Sequence, residues 1–140
     1  MRRFVVGLSV LVVLGLGVFW VVTSPHPRDM AAYAGLTGDA AHGEQVFWAT
    51  GCASCHMAPK AEGDAQLVLA GGQAFATQFG TFYAPNVSTD TDQGIGGWDL
   101  ASFVHAVQDG ISPEGEHFYP AMPYTAYTHM VPQDVVDLKA

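Results

Sequence analysis

The chain has 140 residues, five Lys/Arg against thirteen Asp/Glu, and a formal charge of −8. Arg2, Arg3 and Arg28 all precede the first acid, Asp29; from there onward Lys60 and Lys139 face all thirteen acids, a net −11. So acidic a domain does not bind nucleic acid by neutralising phosphates, a 49% hydrophobic and 11% aromatic content excludes a disordered acidic chain, and two cysteines support neither a disulfide framework nor a four-thiolate zinc site.

Residues 1–3 form a basic tip ahead of Phe4 to Val22, FVVGLSVLVVLGLGVFWVV, 19 residues without a charge. At about 1.5 Å per residue this makes roughly 28 Å of helix, close to the hydrocarbon thickness of a bilayer. Arg2 and Arg3 predict a cytoplasmic N-terminus and an exported remainder, with Trp20 at the far interface. An uncleaved anchor and a removed signal peptide both fit. A signal peptide has a shorter apolar core and a small-x-small site soon after it, whereas Ala32-Tyr33-Ala34 comes late. A buried soluble helix does not fit, because an all-apolar helix needs a core on every side. Residues 23–34 read as a linker, stiffened by Pro25 and Pro27.

A first domain helix is expected from Asp39, its cap, to Thr50, with Gly51 ending it. Gly43, Val46, Phe47 and Thr50 share one face, and Gly43 permits close backbone approach. Cys52-Ala53-Ser54-Cys55-His56 follows. C-x-x-C-H is the attachment signature of c-type haem. Two intervening residues on a helical turn bring both sulfurs to one porphyrin edge for thioether bonds, and His56 projects toward the iron. A dithiol redox pair would need a βαβ frame, which the sequence does not show.

Short apolar runs at 66–70 and 78–83, separated by Gly71-Gly72, predict a small hairpin. Residues 84–97 read as loop. Within it, Asn86-Val87-Ser88 fits a glycosylation triplet, discounted as a chance pattern. Asp90-Thr91-Asp92-Gln93-Gly94 lacks a full calcium-ligand series; aspartates bonding local turn amides explain it better. A helix is expected over 98–108, with Leu100, Phe103, Val104 and Val107 as its stripe and Gly110 as its terminator. Pro113, Pro120 and Pro123 make the following stretch irregular, and Pro132 opens a last helix to Lys139.

A haem iron held by His56 calls for an opposite ligand or an open position. Met122 lies in Tyr119-Pro120-Ala121-Met122-Pro123-Tyr124, 66 residues beyond His56. Flanking prolines make a rigid, donor-poor segment suited to pressing a thioether against a flat cofactor. Met122 is therefore the first candidate and Met130 the second. Met57 is too near His56, Met30 belongs to the linker, and His105 and His117 read as surface or structural residues. Met122 as a core gap-filler is the competing reading.

Taken together, these blocks resemble the class I cytochrome c superfamily, and in particular the membrane-associated cytochrome c subunits of bacterial alcohol, gluconate and sugar-alcohol dehydrogenases. The matching runs are Gly51 to Pro59, Phe79 to Val87, Gly94 to Trp98, Gly110 to Gly115 and Tyr119 to Tyr124. The resemblance implies an all-α haem domain over 35–140, one covalent haem c on Cys52 and Cys55, proximal His56 and distal Met122. It also implies a Pro59 carbonyl near the His56 ring, with Asn86, Trp98 and Tyr124 as haem-pocket or propionate neighbours. Two departures stand out: such subunits commonly carry several haem domains, and their last helix is longer and brings an aromatic onto the first. A last helix of two turns is expected to leave Gly43 and Phe47 partly uncovered, an apolar surface that invites a partner.

Three functions fit. One is a membrane-tethered electron carrier on the periplasmic face of a bacterial inner membrane, within a respiratory chain, docking a redox partner through that partner's basic patch. The second is the electron-accepting subunit of a membrane dehydrogenase. The third is a gas or redox sensor with an open sixth position. No nucleophile–base pair points to catalysis by the chain itself.

Overall fold

The computed structural model describes residues 1–140. Helix α1 (Arg2–Thr23) has no buried residue and a mean hydropathy of 2.7 over its most apolar window. By length and composition it can cross a membrane. Its end is sealed locally: the Thr23 and Ser24 hydroxyls donate to the carbonyls of Phe19 (2.8 Å) and Trp20 (2.6 Å). Such bonds satisfy carbonyls that a helix terminus otherwise leaves bare.

The expected linker is shorter than 23–34. From Arg28 onward the chain packs on the domain. Arg28 Nη2 and Nε reach the same Asp109 oxygen at 2.6 and 2.8 Å, and its other hydrogens go to the carbonyls of Gln108 and Thr128, each at 3.2 Å. A short 3-10 turn, Met30–Tyr33, then places Tyr33 in the core with 4% exposure. One short turn carries no periodicity, and its partners lie some 75 residues on, so local pattern did not reveal it.

The domain is built from α2 (Ala40–Thr50), α3 (Ala53–His56), α4 (Leu100–Val104), α5 (Tyr124–Tyr127) and α6 (Pro132–Lys139). Asp39 caps α2 by accepting from the amides of Ala41 (2.9 Å) and His42 (3.3 Å), and Gly51 ends it in the left-handed region at φ 73°. Asp99 caps α4 through the Ser102 amide at 2.7 Å. Beyond Val104 the helix widens into a π turn, His105–Asp109, closed by Gly110 at φ 65°. The single helix expected over 98–108 is thus an α segment and a π segment starting two residues later. Such π turns concentrate at functional sites, and this one carries the buried Gln108.

The core comprises Tyr33, Phe103, Val104, Val135 and Val136. Helix α6 crosses α2 at Gly43, where an added Cβ would lie 2.0 Å from the Asp137 carbonyl oxygen. The uncovered surface expected around Gly43 and Phe47 is absent: Gly43 is buried and Phe47 is 8% exposed. Two turns suffice because the contact is backbone against backbone and needs no aromatic to bridge a gap.

The hairpin is real but displaced. Its strands are β1 (Ala74–Thr77) and β2 (Gly80–Tyr83), antiparallel with Phe75 opposite Phe82, and they turn at Gln78-Phe79. Residues Gly63–Val68 form a 3-10 turn instead of a first arm. Gly71 and Gly72, both at positive φ, lead into the hairpin and do not close it. The domain is therefore mostly helical with one two-stranded excursion, not purely α.

A charged lock fastens the α2–α6 crossing. Asp137, 3% exposed, accepts from the Asp39 amide (2.8 Å), Gln133 Nε2 (2.7 Å) and His42 Nδ1 (2.8 Å). The Asp39 amide, then His42, hold the Asp137 carboxyl below its ordinary value; Asp137 in turn holds His42 above its own. A raised His contributes stability fully below its unfolded pKa, about 6.5, and loses it as pH rises through the folded value. A depressed Asp contributes above about 3.9 and loses it as pH falls through the folded value. The lock is complete between those limits. Denaturant titrations are expected to show a decline in stability above about pH 6.5 that His42→Gln removes.

Candidate functional site

Gly51 aims the chain out of α2, and α3 begins at once. The amides of Cys55 and His56 donate to the Cys52 carbonyl at 3.3 and 3.0 Å. One turn of helix therefore fixes Cys52, Cys55 and His56 relative to one another. Thr50 Oγ1 lies 3.2 Å from Cys52 Sγ. Burial pushes the Cys52 thiol up, with the Thr50 hydroxyl opposing it.

His56 is held from behind. Its Nδ1 is 3.0 Å from the Pro85 carbonyl oxygen, and its own carbonyl accepts from the Gly71 amide at 2.7 Å. The carbonyl on the ring is thus Pro85's, not that of Pro59. Residue 59 follows His56 too closely to turn back onto its ring, whereas the hairpin returns Pro85 to it. A carbonyl on Nδ1 fixes the tautomer that leaves Nε2 free to ligate. Gly71 makes the approach possible: at φ +70°, a Cβ there would sit 2.5 Å from the Pro85 carbonyl carbon and oxygen.

In front of His56 lies an open-mouthed cleft of about 190 Å³. Cys52, His56, Met122 and Met130 all line it; the remainder is largely apolar, including Phe47, Leu69, Val87, Ile95, Phe103 and Val107. These residues fit a c-type haem. A thiol and an imidazole from one turn face a largely apolar cleft with thioethers also on its lining, and the apolar walls would bury a flat macrocycle. When bound, haem supplies a one-electron ferric/ferrous couple. Cys52 and Cys55 would hold it covalently, His56 would ligate, and the walls would keep water out.

Of the other expected neighbours, Asn86, Trp98, Tyr124 and Pro59 do not line the cleft. Asn86 Oδ1 accepts from the Ser88 amide at 2.9 Å, a turn bond that shapes the adjoining wall. The Tyr124 ring covers Gly110, where a Cβ would approach it to 2.6 Å. Asp90 Oδ1 accepts from the amides of Asp92 (2.8 Å) and Gln93 (2.7 Å), the local turn expected of it. His105 pairs with Asp109 at 3.1 Å. Burial alone would push the Asp109 carboxyl up; Arg28 and His105 outweigh it and hold it below its ordinary value.

Several residues the sequence did not single out matter here. Tyr127 lines the cleft and its hydroxyl donates to the Thr50 carbonyl at 2.9 Å. Lys139 lines it too, its ammonium 5.8 Å from the Phe103 ring centroid. Gln108, 1% exposed, accepts from the Tyr33 hydroxyl and donates to the carbonyls of Tyr127 and Met130, each at 3.1 Å. A lone Gln in a helix stripe carries no local signal of such a role.

Residues 40–140 match the family model described as cytochrome c. The chain is 52% identical over 139 residues to a diheme cytochrome c-type protein of Cereibacter sphaeroides, covering 99% of this chain and 47% of that protein. It is 41% identical over 98 residues to a nicotinate dehydrogenase subunit of Pseudomonas putida, covering 70% of this chain and 8% of that one. It is 38% identical over 98 residues to the fructose dehydrogenase cytochrome subunit of Gluconobacter japonicus, covering 70% and 19%. The chain thus spans less than half the length of these relatives. With the C-x-x-C-H turn facing an apolar cleft and a family match over most of its length, the chain belongs to the cytochrome c family.

Proposed function

We propose that this chain is a membrane-anchored c-type cytochrome that passes electrons on the exported face of a bacterial inner membrane, its Cys52–His56 motif holding one haem with His56 and Met122 as axial ligands. As a cytochrome c it is an electron carrier and not an enzyme. The observation that carries the ligand reading is that Met122 shares the cleft with His56 and Cys52. Met130 shares it as well, but its side chain packs against the hydrophobic core and Gln108 holds its carbonyl. Met122, between its two prolines, is the freer thioether. Methionine ligation raises the potential. A helix apolar on all faces and nowhere buried supports the anchor. The −11 net charge after residue 28 favours a basic redox partner.

The ferric holoprotein is expected to be low-spin with a weak far-red sulfur-to-iron band. Met122→Ala should abolish that band and lower the reduction potential, while Met130→Leu should leave both in place. An unchanged band in Met122→Ala overturns the assignment. Carbon monoxide binding to the reduced wild type at neutral pH would favour an open sixth position instead.

A second reading is an electron-accepting subunit of a dehydrogenase complex. Relatives named as cytochrome subunits of fructose, gluconate and alcohol dehydrogenases favour it. Co-purification of a catalytic chain after mild detergent extraction distinguishes this reading from a free carrier.

A further inference from the structure

The β1–β2 hairpin does nothing for the cleft, since no residue from 74 to 83 lines it. Nor does it belong to the core: seven of its eight strand positions are exposed and the eighth, Phe82, is half-buried. A two-stranded hairpin open on both faces is at best marginal in water. Yet this one is rich in aromatics. Phe79 at the turn is 76% exposed, Tyr83 67% and Phe75 39%, and the 54% exposed Tyr119 stacks on Phe82 at 4.5 Å between centroids.

Charge sets the segment apart. From Gln66 to Ser88 there is no Asp, Glu, Lys, Arg or His, in a domain that otherwise carries thirteen acids. Position then names the occupant. His117 Nε2 lies 3.0 Å from the carbonyl of Thr23, the last residue of α1. Two residues on, Tyr119 carries the ring stacked on Phe82. The hairpin is thus joined, through residues 117–119, to the point where α1 ends. Ser24 to Pro27 are the residues between that point and Arg28, which is clamped to the domain. The domain therefore cannot swing far from where the chain leaves the helix.

We infer that the aromatic hairpin lies on the exported membrane surface, as a second contact beside α1, with Phe79 and Tyr83 seated in the headgroup–acyl boundary. The inference rests on the anchor reading of α1. Phe and Tyr on an uncharged loop suit that boundary, where an apolar body is buried and a phenol stays hydrated. The acids that flank the segment, Glu62, Asp64, Asp90 and Asp92, favour a zwitterionic surface over an anionic one. Two contacts would set the orientation of the haem domain at the membrane.

The test uses full-length holoprotein in phosphatidylcholine vesicles. Cys52 and Cys55 are consumed by the haem, so single nitroxide labels can be placed through Phe79→Cys and, as a control on exposed α2, Glu44→Cys. The label at 79 is expected to collide with oxygen more, and with a water-soluble nickel chelate severalfold less, than the label at 44. Equal access of both labels to the chelate, with protein that resists alkaline carbonate extraction, overturns the hairpin contact and leaves the aromatics to a protein partner. Release by carbonate overturns the anchor reading itself, and the hairpin inference with it. Phe79→Ser combined with Tyr83→Ser should leave carbonate resistance unchanged and raise chelate access of a label at Thr81→Cys.

Discussion

Replacing Gln108 by Leu is expected to cost about 2–5 kcal/mol of stability, read from denaturant midpoints followed by far-ultraviolet circular dichroism. The side chain is 1% exposed, and each polar atom on it is used. Leucine fills similar space but leaves the Tyr33 hydroxyl without its acceptor and the Tyr127 and Met130 carbonyls without their donor. A buried polar group left unpaired costs about 1–3 kcal/mol. Tyr33→Phe, which removes one partner and frees the Gln oxygen, should cost less, about 1–2 kcal/mol. Gln108→Glu should be at least as damaging as Leu, because it aims a carboxylate at two carbonyls. The effect extends to the site. Gln108 and Arg28 together pin the carbonyls of Tyr127, Thr128 and Met130, and Met122 lies just upstream. On the proposed ligation, the far-red band of the Gln108→Leu holoprotein should fade on heating before the helical signal does. If both signals are lost together at the wild-type midpoint, Gln108 does not position this segment.

The second large effect is expected at Gly43. A helix interior normally gains about 1 kcal/mol when Gly becomes Ala. Here the added carbon would lie 2.0 Å from the Asp137 carbonyl oxygen and 2.6 Å from its carbon. Both atoms are backbone, so α6 must move as a body. That movement breaks the His42–Asp137 and Asp39–Asp137 bonds and opens the core at Val135 and Val136. Gly43→Ala is expected to lose about 2 kcal/mol and Gly43→Val about 3 kcal/mol or more, beyond the usual 1–3 for overpacking. A thermal midpoint for Gly43→Val within a degree of wild type would sink the claim that α2 and α6 are in backbone contact. Gly97, whose nearest neighbour to an added Cβ is 3.5 Å away, provides the contrast: Gly97→Ala should be nearly neutral.

Much of the site's chemistry was readable because it is local. Cys52, Cys55 and His56 fall within five consecutive residues, and one helical turn fixes their relation with no help from the rest of the chain. Helix limits at Asp39, Gly51 and Gly110 were readable for the same reason: a cap or a left-handed glycine acts within one turn. The hairpin was half legible. Its second arm was placed well, but Gly71-Gly72 looked like its turn because two glycines signal a reversal wherever they occur. In the structure Gly71 serves a long-range contact, letting the chain pass against the Pro85 carbonyl.

What stayed hidden has a common cause. Pro85 holds the His56 ring across 29 residues, Arg28 reaches Asp109 across 81, and Tyr33 reaches Gln108 across 75. No periodicity or spacing rule links residues that far apart. The same holds for the last helix, which read as too short to cover Gly43. Its adequacy depends on how closely two backbones approach, a property of the crossing and not of either segment.

By itself, then, the sequence determined an apolar span, an acidic domain, one covalent haem motif and the helices bearing it, because each rests on residues within a turn or two of one another. The tertiary structure alone decided that the linker is clamped, that Pro85 and not Pro59 backs His56, that Met122 and Met130 line the same cleft as His56, and that an uncharged aromatic hairpin stands beside the end of α1. Those are outcomes of packing and of backbone hydrogen bonds between distant segments, where the fold, and not the local residue pattern, selects the partner.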